Sequence, residues 1–236
     1  MTITENVALV KARMEEAARA AGRDAATIRL VAATKMNDAA RVREAIAAGV
    51  SICGENRVQE LLEKQAAGAY EGAEVHFIGH LQKNKVPKLV GRVALIHSVD
   101  SLELLAAIDR EAEKRGVRQD VLLEVNIGAE ASKSGFSPAE IPDALEKASV
   151  FGSIQVLGLM AIPPVCQRPE ENRPFFRQMQ QLFVDNGRKK YDNVSMVFLS
   201  MGMSGDYTEA IACGANLVRV GSAIFGPRDY SNHRGA

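Results

Sequence analysis

The feature of this sequence that most constrains its fold is a regular alternation between short apolar runs and longer stretches with helical periodicity. Eight short runs occur, at residues 30–34, 50–54, 75–79, 94–99, 121–126, 156–162, 195–200 and 217–221. Apolar residues at helical spacing follow several of them, at 39–48, 57–67, 102–115, 138–149 and 173–186. In a chain of 236 residues, eight strand–helix units predict an α/β protein built as one (β/α)8 TIM barrel. A doubly wound open sheet is the structural alternative, because periodicity counts the units but does not show whether the sheet closes.

One additional helix is predicted in front of the barrel. Val7, Val10, Met14, Ala17 and Ala21 recur at helical spacing, which is typical of an amphipathic helix. No Gly/Ser tract and no change of composition divides the remainder of the chain. We therefore expect a single domain over residues 1–236, with the helix and lead-in at 1–29, the barrel at 30–226 and a polar tail at 227–236.

Charge and composition exclude several classes of function. The 29 basic residues balance 29 acidic ones, whereas nucleic-acid-binding domains usually carry a basic excess. No apolar run approaches the roughly 20 residues that span a bilayer, and the charged N-terminus does not resemble a signal peptide. Three cysteines without a C-x-x-C pair are typical of reduced thiols rather than of disulfides. These features predict a cytoplasmic protein that binds neither nucleic acid nor membrane.

Polar residues concentrate at the carboxyl ends of the predicted strands, where barrels of this type build their active sites. Lys35 follows the first run, Asn56 the second and His80 the third. The segment 200–204 closes and follows the seventh run, and Arg219 lies within the eighth. Because these ends meet at one rim of a barrel, the sequence predicts a functional site there.

Lys35 directly follows the apolar run LVAAT. Taken alone, such a lysine can simply solvate the end of a strand. Partial burial at the barrel mouth would instead disfavour the ammonium form and leave a free amine that can attack an aldehyde. The residue by itself does not decide between the two interpretations.

Two Gly-Ser turns predict a phosphate site beside this lysine. In SMGMSGD, Gly202 would allow close approach of backbone N–H groups, and Ser204 adds a hydroxyl. VGSAIFG repeats the arrangement with Gly221 and Ser222. Phosphate sites after strands seven and eight recur in TIM barrels, although each turn alone could merely cap a helix.

Arg219 constrains the chemistry of such a site. It could pair with a carboxylate at the barrel end, or it could donate a hydrogen bond to the pyridine nitrogen of pyridoxal phosphate. A guanidinium stays protonated, so that nitrogen would stay unprotonated and the ring would be a weaker electron sink.

His76 and His80 lack the spacing of a metal-binding motif, and no metal is predicted.

Eight sequence blocks resemble those of the pyridoxal phosphate homeostasis proteins. They are LVAATK, GENRVQE, HFIGHLQKNK, IHSVDS, SKSGF, GLMAI, SMGMSGD and VRVGSAIFG, and they follow the order of that family. The resemblance implies the barrel of the alanine racemase N-terminal domain, which is called fold type III. It also implies pyridoxal 5'-phosphate as cofactor.

The same resemblance implies the roles of individual residues. Lys35 would hold the cofactor as a covalent Schiff base, Arg219 would face the pyridine nitrogen, and Asn56 would contact the ring. The residues that would hold the phosphate are Ser204, Gly221 and Ser222. Two further motif positions, His80 and Met201, would line the pocket.

Two functions of different class are compatible with these residues. The resemblance implies a protein that buffers pyridoxal phosphate and could deliver it to apo-enzymes, with no catalytic residue. We expect a monomer, because the sequence lacks the β-domain that usually builds a dimer in this fold. The alternative is a fold type III amino-acid racemase with weak activity. Racemases of this fold carry a β-domain that supplies a tyrosine base, and two-base racemisation needs a group on each face of the substrate. Lys35 could serve one face, whereas only Tyr207 and Tyr230 lie near the rim in sequence.

Overall fold

The computed structural model describes residues 1–130, 133–188 and 191–227. Eight parallel strands form one closed barrel in chain order, and β8 pairs with β1 to complete it. The strands are β1 (Arg29–Ala33), β2 (Ile52–Glu55), β3 (Glu74–Phe77), β4 (Leu95–Val99), β5 (Gln119–Val125), β6 (Ile154–Ala161), β7 (Val194–Ser200) and β8 (Leu217–Val220). The closed sheet confirms the predicted TIM barrel and excludes the open doubly wound sheet.

Helices connect the strands on the outside of the barrel. They are α1 (Ile3–Ala20), α2 (Ala39–Ala47), α3 (Val58–Ala66), α4 (Val86–Leu89), α5 (Leu102–Arg115), α6 (Ile141–Ala148), α7 (Arg173–Gly187), α8 (Tyr207–Ala212) and α9 (Ser222–Phe225). Short 3-10 turns occur at Ala25–Thr27, Lys83–Lys85, Pro138–Glu140 and Pro169–Asn172. Within the described ranges, no helix has the length and apolar character to cross a membrane.

The predicted N-terminal helix is present as α1. Thr2 and Glu5 form a capping box that satisfies backbone N–H groups at its start. Val7, Val10 and Met14 are buried as predicted. The helix packs against α2, α8 and α9, and thereby joins the first and last units of the barrel.

The barrel interior holds its own apolar cluster, separate from the layer between strands and helices. Its buried members are Val31, Ala33, Ile52, Ile78, Leu95, Leu122, Met160 and Leu217. Gly158 of β6 has φ of 140° and lies where the β6–β7 register shifts. A Cβ atom there would lie 2.0 Å from the carbonyl oxygen of Phe198, so only glycine permits this approach of the two strands. This cluster forms a packed apolar core inside the barrel.

Candidate functional site

Lys35 follows the carboxyl end of β1 and lines a cavity of about 730 Å³. Gly221 and Ser222, from the turn between β8 and α9, line the same cavity. Closure of the sheet brings these residues together, because β8 pairs with β1 although the chain separates them. Three of the residues predicted from the sequence therefore share one cavity.

The backbone after Lys35 adopts an unusual conformation. Met36 has φ of 60°. This backbone conformation costs free energy for a residue other than glycine and persists only where neighbouring groups hold it. Its N–H donates to Glu60 Oε1 at 2.5 Å, and Asn37 Nδ2 donates to the carbonyl of Lys35 at 3.0 Å. These bonds hold the turn that aims Lys35 into the cavity.

Lys64 of α3 connects that turn to the barrel interior. Its Nζ donates to the carbonyl of Thr34 at 2.7 Å, to Glu55 Oε1 at 2.8 Å and to Glu60 Oε1 at 2.7 Å. These three bonds use all the donors of an ammonium group. Lys64 therefore holds the backbone next to Lys35 through Thr34 on one side and through Glu60 on the other. The sequence analysis did not identify it.

Glu55 is the buried carboxylate of this network. Its Oε1 also accepts from the Thr34 hydroxyl at 2.5 Å and from the Tyr70 hydroxyl at 2.9 Å. Burial raises the pKa of Glu55, and the positive charge of Lys64 is the largest opposing effect. Burial likewise raises the pKa of the nearby Cys53 thiol to about 12, which is typical of an unreactive cysteine in a protein core.

Ser204 meets the turn that begins α9. Its Oγ accepts from the backbone N–H groups of Gly221, at 3.0 Å, and Ala223, at 3.3 Å. The loop after β7 and the loop after β8 are thus bonded to each other beside the cavity. The three residues predicted to hold a phosphate lie in direct contact.

The turn that contains Gly202 packs closely against α8. Gly202 has φ of 90°, and a Cβ atom would lie 2.5 Å from the Cβ of Ala210 on α8. Asp206 accepts from the N–H of Met203 at 2.7 Å and from Asn172 Nδ2 at 2.8 Å. Gly202 therefore permits the close packing of α8, and the Asp206 carboxylate already accepts one backbone N–H of this turn.

Arg219 is buried in β8, two residues before Gly221 of the cavity lining. Its Nη1 donates to Ser200 Oγ at 2.6 Å and its Nη2 donates to the carbonyl of Ala161 at 3.0 Å. Burial lowers the pKa of Arg219 to about 10, and the carboxylates of Glu124 and Asp206 oppose this shift. The guanidinium consequently remains protonated at neutral pH.

Glu124 adds a titratable group near Arg219. Burial, and then the charge of Asp100, raise the pKa of its carboxyl to about 7, while Arg219 opposes the shift. This carboxyl therefore titrates closer to neutral pH than an ordinary glutamate does.

The other predicted residues lie outside the cavity lining. The described residues that line the cavity include none of the other five predicted residues, which are Asn56, His80, Met201, Ser204 and Arg219. Asn56 has a buried Oδ1 without a hydrogen-bond partner, and Met201 is fully buried. The His80 side chain is 60% exposed, and its Nδ1 lies 3.3 Å from Asp100 Oδ2. In the described ranges, no group of three or more His, Cys, Asp or Glu side chains could hold a metal ion.

Known proteins share both the sequence and the fold of this chain. The family model of the alanine racemase N-terminal domain matches residues 4–229. A pyridoxal phosphate homeostasis protein of Aquifex aeolicus is 42% identical over 98% of this chain and 100% of its own length. One of Pseudomonas aeruginosa is 43% identical over 97% of each chain.

A solved structure shows the same similarity in three dimensions. PipY of Synechococcus elongatus, with pyridoxal phosphate bound, superposes with a TM-score of 0.82 at 32% identity, over 95% of this chain and 100% of that one. The chain belongs to the pyridoxal phosphate homeostasis protein family, whose barrel is that of the alanine racemase N-terminal domain. The family resemblance drawn from the eight sequence blocks is confirmed.

Proposed function

We propose that this protein binds pyridoxal 5'-phosphate through a Schiff base on Lys35, and that it buffers the cofactor and delivers it to apo-enzymes. The observation that carries the proposal is the shared cavity of Lys35, Gly221 and Ser222. An amine at this cavity could react with the aldehyde of the cofactor, and the Gly-Ser turn at the same cavity could bind its phosphate. The names of the relatives and the ligand of PipY support the same assignment.

The residues around the cavity fit the cofactor. When bound, it supplies an aldehyde that condenses with an amine and a phosphate that accepts hydrogen bonds. Ser204, Gly221 and Ser222 would hold the phosphate. The unpartnered Oδ1 of Asn56 is a buried polar atom that a ligand could satisfy. Arg219 would donate to the pyridine nitrogen and keep it unprotonated.

The same residues favour a cofactor handler over a racemase. A permanently protonated Arg219 beside the pyridine nitrogen weakens the electron withdrawal that carbanion chemistry requires. Tyr207, the described candidate for a second base, is buried on α8, where its hydroxyl interacts with Arg13 of α1. Burial raises the pKa of Tyr207, which opposes its use as a base. Tyr230 lies outside the described residues.

The Schiff base is tested by reduction and peptide mapping. We expect the protein incubated with pyridoxal phosphate to absorb in the visible range, and borohydride to fix the cofactor on Lys35. Lys35→Ala should lose the visible band, whereas Lys83→Ala, a substitution of an exposed lysine, should keep it. A covalent band of unchanged intensity in Lys35→Ala, or label on another lysine, would refute the assignment.

Delivery is tested separately from binding. Loaded protein is mixed with an apo-enzyme in the presence of a trap for free pyridoxal phosphate. Reactivation that survives the trap supports direct transfer, and its complete loss limits the function to buffering. Sedimentation equilibrium on the loaded protein alone tests whether it is a monomer, as we propose.

A further inference from the structure

Four buried polar side chains form a continuous hydrogen-bonded chain across the barrel interior. His76 Nδ1 on β3 lies 3.0 Å from His97 Nε2 on β4. His97 Nδ1 lies 3.0 Å from Ser200 Oγ, which in turn accepts from Arg219 Nη1 at 2.6 Å. None of the four is more than 4% exposed. The chain therefore crosses the core without contact with solvent along its length.

Glu74 anchors the other end. It is the first residue of β3, at the amino-terminal face of the barrel, and its side chain is 50% exposed. Its Oε2 lies 3.4 Å from His76 Nε2 and 3.0 Å from Arg29 Nη2. Arg219, at the opposite end, lies two residues before Gly221 of the cavity. A polar path thus links Glu74, at the amino-terminal face, to Arg219 near the carboxyl end of β8.

The two ends determine the direction of every bond. A guanidinium can only donate and a carboxylate can only accept. Ser200 accepts from Arg219, but its oxygen could accept a second bond as well, so the Glu74 end sets the order of the remaining bonds. His76 donates from Nε2 to Glu74, so its Nδ1 accepts from His97 Nε2. His97 Nδ1 is then an acceptor, and Ser200 donates its own proton to it. The reverse order would place an unprotonated His76 Nε2 opposite the Glu74 carboxylate, so that two acceptors would face each other.

This order requires both imidazoles to be neutral, with the proton on Nε2. Burial lowers the pKa of His76 to about 4, with the charge of Glu74 opposing and that of Arg29 adding to the shift. Burial also lowers the pKa of His97, and the charges of His76 and Arg219 act in the same direction. A neutral imidazole has one donor and one acceptor, which is what each position in the chain demands.

We propose that Ser200, His97 and His76 are positioning residues that, anchored on Glu74, fix the orientation of the Arg219 guanidinium towards the cofactor's pyridine nitrogen. The role of the chain towards the cofactor rests on the proposed function. The chain itself is a property of the ligand-free protein, because each of its bonds joins residues of this sequence.

The direction of the bonds is tested without ligand. Nitrogen-15 NMR of the full chain labelled at histidine distinguishes protonated from unprotonated ring nitrogens, and single substitutions assign the signals. We expect His76 and His97 to be neutral at pH 7, each with its proton on Nε2. A proton on Nδ1 of His97, or an imidazolium at either position, would overturn the proposal.

Ser200→Ala interrupts the chain at its central hydroxyl, and Ser200→Thr restores a hydroxyl at the same position. We expect Ser200→Ala to shift the His97 Nδ1 signal and to weaken pyridoxal phosphate binding about tenfold, as expected for a lost hydrogen bond to a charged group. The nitrogen-15 signal of labelled pyridoxal phosphate should move as well, since the donor to its pyridine nitrogen is no longer held. Ser200→Thr should recover both signals.

Substitutions at Glu74 act far from the site and leave the core intact. Glu74→Ala removes the terminal acceptor and should release the tautomer preference of His76. Glu74→Gln keeps an acceptor oxygen and should preserve it, as should Glu71→Ala, a change at a neighbouring exposed carboxylate. If Ser200→Ala and Glu74→Ala both leave the histidine and pyridine signals unchanged, the positioning role is wrong. Failure of the parent protein to bind pyridoxal phosphate would instead refute the proposed function, while the histidine tautomers still report on the chain.

Discussion

Removal of the Lys64 charge tests how the turn that carries Lys35 is held. The substitution Lys64→Met keeps a side chain of similar length but leaves Glu55, which is fully buried, without its positive partner. The Nζ of Lys64 also gives up its bonds to the Thr34 carbonyl and to Glu60. Breaking a buried ion pair by removing one partner costs about 3–5 kcal/mol, because an uncompensated charge remains in the interior.

The expected loss is measurable by urea denaturation followed by far-UV circular dichroism. For a domain of this size, 1 kcal/mol corresponds to a shift of about 2–4 °C in Tm, so the variant should unfold about 6–20 °C lower. Lys114→Met, at an exposed position of α5, is the matched control and should change the free energy of unfolding by less than about 0.5 kcal/mol. The double variant Glu55→Gln/Lys64→Met removes both charges and should regain most of the loss.

The pH dependence of the loss follows from the pKa of Glu55. Burial already raises this pKa, and removal of Lys64 takes away the largest effect that lowers it. A carboxyl whose pKa is higher in the folded state binds its proton more tightly there, so stability is gained as the pH falls through the folded pKa and lost as it rises. The destabilisation should therefore shrink between pH 7 and pH 5. A loss below about 1 kcal/mol at pH 7, or a double variant no more stable than the single one, would refute the reasoning.

Three further outcomes are expected. Gly158→Ala places a Cβ atom 2.0 Å from a backbone oxygen and should lower the free energy of unfolding by more than about 3 kcal/mol in the same denaturation assay. The control Gly116→Ala, at φ of 64°, meets nothing within 4 Å and should cost only about 1 kcal/mol. Ser204→Ala removes the acceptor for the Gly221 N–H, and titration should show that pyridoxal phosphate binds about tenfold more weakly. The circular dichroism spectrum should be unchanged, and an unchanged affinity would contradict the role of Ser204 at the phosphate. When the loaded protein is incubated with L-alanine, chiral chromatography should detect no formation of D-alanine as fast as about 1 s⁻¹. Turnover at that rate would favour the racemase alternative.

The sequence predicted the barrel because its signal is local. Each strand–helix unit shows its own periodicity, and eight units in one chain limit the possible architectures. The predicted helix over 102–115 coincides with α5 (Leu102–Arg115). It has Ser101 as N-cap and Gly116 in a left-handed conformation as C-cap, so both ends are marked in the sequence. The 83–85 segment is exposed and forms a 3-10 turn before the short α4.

Part of the candidate site could be predicted for the same reason. Lys35, Gly221 and Ser222 follow strand ends, and strand ends of a parallel barrel meet at one rim whatever the details of packing. The networks around them could not be predicted. Glu60 and Lys64 are four residues apart on α3, which suggests an ion pair, but the bonds from Lys64 to Glu55 and Thr34 depend on how α3 docks on the barrel.

The sequence by itself determined the strand–helix repeat, the family and the position of Lys35 at the end of β1. Only the tertiary structure decided that Met36 must be held in a left-handed conformation and that Gly202 packs against α8. It also decided that His97 bonds to Ser200, which lies 103 positions further along the chain. Periodicity follows from neighbouring residues, whereas the partner of a buried polar group is set by barrel closure and strand register, which no local pattern records.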